Sequence, residues 1–274
     1  MTTAKKTSKI SSTSKIEKGI EVQDLKVHYD TPDGVVKAVD GVSFSLRQGE
    51  RMALVGESGS GKSTLAMALM RLTRAPGRIA GGKILVSGKD LLDLDEEEMR
   101  LQRLNEVALV PQVAMNSLNP VMKIKNQLLD CLFDHQLKKS DKLSKEEQDD
   151  IVQSLLKSVD LAPGVAEMYP HELSGGMKQR VAIAIATSMQ PRVIVADEPT
   201  SALDVVVQRN VMQTLGRLQE GLHASIILIG HDMGLVAQFS DHVGVMYAGR
   251  LVEVGPVKTV FKSPKHPYLS LIHI

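Results

Sequence analysis

From Arg51 to Thr64 the chain reads Arg-Met-Ala-Leu-Val-Gly-Glu-Ser-Gly-Ser-Gly-Lys-Ser-Thr. This is a short apolar strand, a glycine-rich turn and the start of a helix that continues Leu-Ala-Met-Ala-Leu-Met. Gly56, Gly59 and Gly61 let the main chain turn so that successive N–H groups face one anion, and the helix aims its positive end at the same point. Glu57, Ser58 and Ser60 complete the turn, and Thr64 follows on the helix. Lys62 can then reach the β- and γ-phosphates of a nucleotide, and the Ser63 hydroxyl can reach Mg²⁺. The strand before and the helix after separate this pattern from a fortuitous glycine turn.

Two further segments carry matching chemistry. Val193–Ala196 is a buried-strand run that ends in Asp197 and Glu198. Adjacent acids at the end of such a strand need an electrostatic reason: Asp197 suits the Mg²⁺ shell, and Glu198 suits polarisation of an attacking water. Ser174, Gly175 and Gly176 precede an expected helix over Lys178–Ser188, and form a second anion-binding helix start. One chain thus holds two phosphate-binding devices.

These groups must be positioned by a framework, and the periodicity outlines it. Short β-prone runs occur at Ile20–Tyr29, Val35–Leu46, Arg51–Val55, Lys83–Val86, Val107–Val110, Val193–Ala196 and Ser225–Ile229. Several lead directly into helical stretches, which predicts an α/β fold with parallel central strands. Asp33-Gly34 and Asp40-Gly41 predict turns of an antiparallel β portion at the front. From about Met115 to Gln190 the pattern is helical, which predicts a helical subdomain, about 113–190, inserted into the core. The charged run Lys138–Asp150 mixes both signs and reads as a solvated face.

The tract Leu173-Ser-Gly-Gly-Met-Lys-Gln-Arg180 resembles the signature motif of ATP-binding-cassette (ABC) ATPases. The resemblance covers Ile20 to about Tyr268 and implies a RecA-like P-loop NTPase core. It also implies that each ATP lies between one P-loop and the signature of a second, paired ATPase subunit, identical or not. By the same resemblance Tyr29 stacks on adenine, Gln112 contacts Mg²⁺ and signals to the membrane partner, and Asp204 belongs to the loop Ser201–Asp204 that crosses to the other protomer. His231 matches the switch histidine beside the γ-phosphate. Asn116–Pro120, Tyr169–Glu172, Val245–Arg250 and His266–Tyr268 resemble the dipeptide and oligopeptide importers, a branch that includes carriers of nickel, opines and oligosaccharides. Val113-Ala114 departs from the acidic residue and proline common there after the glutamine. The residues after Gln112, Val113–Pro120, are the expected docking site for membrane subunits.

The function implied is an ATPase on the cytoplasmic face of the cell membrane that energises two integral permease subunits, served indirectly by an extracytoplasmic solute-binding protein. The alternative is a soluble ABC ATPase acting on nucleic acid or the ribosome. With 33 Lys and Arg against 32 Asp and Glu, no global field draws the chain onto nucleic acid. The chain has one cysteine, Cys131, so no disulfide can form within it. No apolar run approaches the length of about 18 residues that a membrane span needs. Residues 1–19 read as a solvated tail, 20–268 as the ATPase domain, and 269–274 as a foreign or truncated end outside the fold.

Overall fold

The computed structural model describes residues 18–112, 117–135 and 143–267. Residues 1–17 of the expected tail, Val113, Ala114 and Asn116 of the docking segment, part of the charged run, Tyr268 and the segment 269–274 lie outside the described residues.

Two sheets form the framework. Strands β1 (Lys18–Thr31), β2 (Gly34–Arg47), β4 (Gly77–Val86) and β5 (Lys89–Asp90) make an antiparallel sheet in the order β2-β1-β4-β5. The second sheet runs β10-β9-β3-β8-β7-β6, from strands β3 (Arg51–Gly56), β6 (Val107–Val110), β7 (Val193–Asp197), β8 (Ser225–Ile229), β9 (His242–Tyr247) and β10 (Arg250–Pro256). Its pairings are parallel except that of β9 with β10. The helices are α1 (Lys62–Leu69), α2 (Glu96–Gln102), α3 (Ile124–His135), α4 (Lys145–Ser158), α5 (Gly175–Thr187), α6 (Val205–Leu222), α7 (Met233–Phe239) and α8 (Val257–Lys262).

Each expected strand run appears, and the β9–β10 hairpin was missed because its sequence alternates weakly around two glycines, Gly244 and Gly249. Asp33 sits in the β1–β2 turn, as expected. Asp40-Gly41 is not a turn: Leu25 pairs with Val42 and Lys26 with Asp40, which leaves Gly41, at φ 77°, as an extra residue inside β2. The Asp-Gly pair therefore makes a β-bulge that bends the strand without reversing it. The helix of the signature tract begins at Gly175, earlier than the expected Lys178, because Ser174 Oγ accepts the Met177 N–H and caps it there.

The parallel strands are apolar on both faces, and the two faces bury into different layers. Val193, Val195, Ile227 and Ile229 join β1, β2, β4 and α1 in one core, while Ile194, Ala196, Ile226 and Leu228 pack on α3, α4, α5 and α6 in another. Between β6 and β7, the described residues form helices and short 3-10 turns. The sheet is thereby held from both sides, and its strand ends present their loops along one edge. No helix among the described residues is long and apolar enough to cross a membrane.

Ile194 is fully buried at the centre of the helical-side core. Ile194→Ala is expected to lower stability by about 2–5 kcal/mol. Urea denaturation followed by circular dichroism measures it, and a loss below about 1 kcal/mol would contradict this account of the core.

Candidate functional site

Strand β3 delivers the chain to Gly56, and the loop turns into α1 at Gly61, which has φ 100°. A side chain at either glycine would collide with backbone, since a Cβ on Gly56 would lie 2.2 Å from the Met246 carbonyl and one on Gly61 2.2 Å from that of Ala38. The loop is therefore wedged between β9 and β2 and can carry only glycine at those points. Within it Ser60 N–H donates to the Glu57 carbonyl at 3.1 Å, and Leu65 N–H to that of Gly61 at 2.8 Å.

Lys62 folds back over this loop. Its ammonium donates to the carbonyls of Gly56 (2.8 Å) and Glu57 (2.7 Å) and to Ser60 Oγ (3.2 Å). Burial pulls its pKa below the usual lysine value, against the opposing charges of Glu198 and Asp197. Ser63 Oγ donates to Asp197 Oδ1 at 3.3 Å, which joins α1 to the end of β7. Burial pushes the Asp197 carboxyl above its usual value; the Ser63 hydrogen bond and Lys62 oppose this, and the neighbouring charge of Glu198 adds to it.

Glu198 stands one residue past β7 with φ 43°, an uncommon left-handed backbone for a residue with a side chain. Its N–H is held by the Ile229 carbonyl at 2.9 Å. Its carboxylate accepts from Gln112 Nε2 at 2.7 Å and lies 3.6 Å from His231 Nδ1. Strain of this kind collects at functional sites, where surrounding contacts hold a side chain in one direction. Ser201 reinforces the arrangement, since its hydroxyl lies 3.1 Å from the Gln112 carbonyl and 3.0 Å from that of Glu198.

A cavity of about 330 Å³ opens here, lined by Ala38, Gly56, Ser58, Gly59, Gly61, Lys62, Ser63, Thr64, Gln112, Glu198 and His231. Four loops that are distant in sequence, those after β3, β6, β7 and β8, thus meet on one space. Glu57, Ser60 and Asp197 do not line it but accept hydrogen bonds from Lys62 and Ser63, which do. Tyr29 does not line it: the ring lies against Gly77 of β4. Ser174, Gly175 and Gly176 also lie outside it, at the start of α5, where Gly176 abuts Val207 of α6. Asp204 caps α6 by accepting the N–H groups of Val206 (3.1 Å) and Val207 (3.0 Å). A larger cleft of about 1030 Å³ between α6 and α7 contains none of the predicted site residues.

The comparison with known families decides the assignment: the model described as ABC transporter matches residues 39–201. The chain belongs to the ABC transporter family. Among curated relatives, this ABC chain is 44% identical over 252 residues to the oligopeptide transport ATP-binding protein OppD of Bacillus subtilis, an alignment covering 91% of this chain and 69% of the relative. It is 43% identical over 256 residues to the dipeptide transport ATP-binding protein DppD of Lactococcus lactis, covering 92% and 72%. Among solved structures, an ATP-binding cassette in a dimeric post-hydrolysis state bound to ADP and Pi superposes with a TM-score of 0.76 at 27% identity. That match covers 87% of this chain and 98% of the other.

Ala38 lies outside the ABC motifs, because an apolar residue that contributes only wall carries no signal, and Met246 lies in the tract Val245–Arg250, which gives no sign of its contact with Gly56. Ser201 was visible as part of Ser201–Asp204 and gave no sign of its bond to Gln112.

The raised Asp197 pKa has a consequence for stability. The folded chain binds this proton more tightly than the unfolded chain, so the carboxylate opposes folding above the folded-state pKa and ceases to do so below the ordinary value of 3.8. Asp197→Asn is therefore expected to raise the melting temperature of nucleotide-free protein at pH 7. The gain should shrink as the pH falls toward that ordinary value. A melting temperature lowered at pH 7, compared by calorimetry at both pH values, would contradict this sign.

Proposed function

We propose that this ABC protein is the ATP-hydrolysing subunit of an importer of peptides or related small solutes, peripheral on the cytoplasmic face of the cell membrane. The observation that carries the catalytic part is the convergence of Lys62, Ser63, Asp197, Gln112, Glu198 and His231 about one cavity at the end of a parallel sheet. The solute class rests on the oligopeptide and dipeptide transport relatives.

In this reading the loop amides and the Lys62 ammonium hold the β- and γ-phosphates of ATP, and Tyr29 meets the adenine. The donor set fits a magnesium ion: the Ser63 hydroxyl and the Asp197 carboxylate are hard oxygen donors 3.3 Å apart, and Gln112 keeps its amide oxygen available while its nitrogen serves Glu198. Held by these residues, such an ion would supply positive charge against the charge that develops on the phosphate. Glu198, aimed by Gln112 and by its own backbone, orients the attacking water and draws on its proton. His231, beside that carboxylate, faces the γ-phosphate.

The signature stands apart from the cavity in the same chain. A composite site, with Ser174, Gly175, Gly176 and Asp204 supplied by a paired ATPase subunit, accounts for both facts, and the structural neighbour's dimeric state supports it. Closure of the pair on ATP drives two integral membrane subunits, which receive solute from an external binding protein, and hydrolysis resets them.

Glu198→Gln removes the water-polarising carboxylate and leaves Lys62, Ser63 and Asp197 in place. Steady-state ATPase activity of the variant with its partners is expected to fall about 100-fold or more, with ATP affinity retained. Activity within about threefold of wild type would take Glu198 out of that role.

The composite site also predicts a concentration dependence. ATPase activity per chain should vanish in dilute, demonstrably monomeric protein and rise on addition of the paired subunit. Monomer that hydrolyses ATP at the full rate, with mass checked by light scattering, would overturn the composite site.

A further inference from the structure

The β9–β10 hairpin lies against the phosphate loop, through the carbonyl and side chain of Met246 and through the main chain of Gly249. Gly249 N–H donates to the Ser60 carbonyl at 3.1 Å, and Ser60 in turn accepts from Lys62 through its hydroxyl at 3.2 Å. The hairpin turn is a tight one, with Ala248 at φ 47° and Gly249 at φ 79°. An alanine at the first of two such positions is strained, so contacts elsewhere must hold the turn in shape.

Asp40 supplies them from the neighbouring sheet. Its N–H donates to the Gly249 carbonyl at 2.8 Å, and its carboxylate oxygen Oδ2 accepts both Nε (3.1 Å) and Nη2 (2.7 Å) of Arg250. The turn is thus gripped at both its main chain and its following side chain. The Arg250 guanidinium is the main cause that holds the Asp40 carboxyl below the usual carboxylate range, with Lys37 and His28 adding to it. The Gly41 bulge shapes β2 where Asp40 sits. Neither Asp40 nor Arg250 lines the cavity.

We propose that Asp40 and Arg250 are positioning residues that clamp the β9–β10 turn to β2 and so fix the Ser60 carbonyl and the phosphate loop built on it. The clamp rests on the nucleotide-binding reading for its purpose, but its mechanical part does not. An isolated exposed ion pair has little effect. This one acts through a relay of two backbone hydrogen bonds that ends at the lysine ligand.

The test uses Arg250→Ala, Asp40→Asn and the double variant, with Lys123→Ala as a control that breaks an exposed ion pair with Glu167 in the helical region. Amide hydrogen exchange of peptides covering residues 56–64 is measured on nucleotide-free chain, and ATP affinity by calorimetry. Each single variant is expected to speed exchange in the loop and weaken ATP binding by about threefold, while the control does neither. The double variant should do no more than either single, because the two residues act as one unit. Wild-type exchange rates in both singles, or a double effect equal to the sum of the two, would overturn the clamp. Absence of ATP binding to wild type would instead remove the functional reading, and the exchange rates would still decide the clamp.

Discussion

The structure depends on keeping one partly buried ammonium, that of Lys62, beside the acids Asp197 and Glu198 at the edge of a parallel sheet. A charge in that position must be hydrogen-bonded, and the phosphate loop does this by turning two carbonyls and one hydroxyl onto it. The loop can turn in this way only if its glycines pass close to the backbone of β2 and β9. Those strands belong to different sheets, so the antiparallel layer is part of the site although none of its acids or bases enters the cavity. Burial acts on both signs of charge at once: it pulls Lys62 down and pushes Asp197 up, each against the attraction of the other.

Local chemistry was legible in the sequence wherever residue type and spacing had a mechanism. The strand, glycine turn and helix around Lys62 needed no partner to be identified, and the continuous apolar runs at Val193 and Ser225 announced strands buried on both faces. What could not be read was contact between distant segments. Nothing around Asp40-Gly41 separates a hairpin turn from a bulge, because both use a glycine at positive φ and only the pairing of Leu25 and Lys26 tells them apart. The meeting of Gln112 with Glu198 is equally invisible, since an amide in a loop has no periodicity. Resemblance to the ABC motifs assigned both residues to one nucleotide and gave no sign of the bond between them.

The position of the signature makes a different point. Ser174 caps α5 and Asp204 caps α6, so both serve their own helix ends and neither lines the cavity of the same chain. The same hydroxyl and carboxylate can satisfy backbone groups locally and still present a helix start to an outside anion. Exposed Val205 and Val206 follow Asp204 at the start of α6, and leave an apolar patch beside that cap. A helix start with these neighbours is capped by its own chain and still leaves apolar surface uncovered beside the cap.

Ser201 gives the site one last property. Because its hydroxyl shares its one proton between the carbonyls of Gln112 and Glu198, the loops after β6 and β7 are fastened together at their roots, and the amide-to-carboxylate bond fastens them again at their tips. Two fastenings make a stiff bracket where one would make a pivot. A displacement of the chain at Gln112 is therefore passed to the Glu198 carboxylate through two contacts at once.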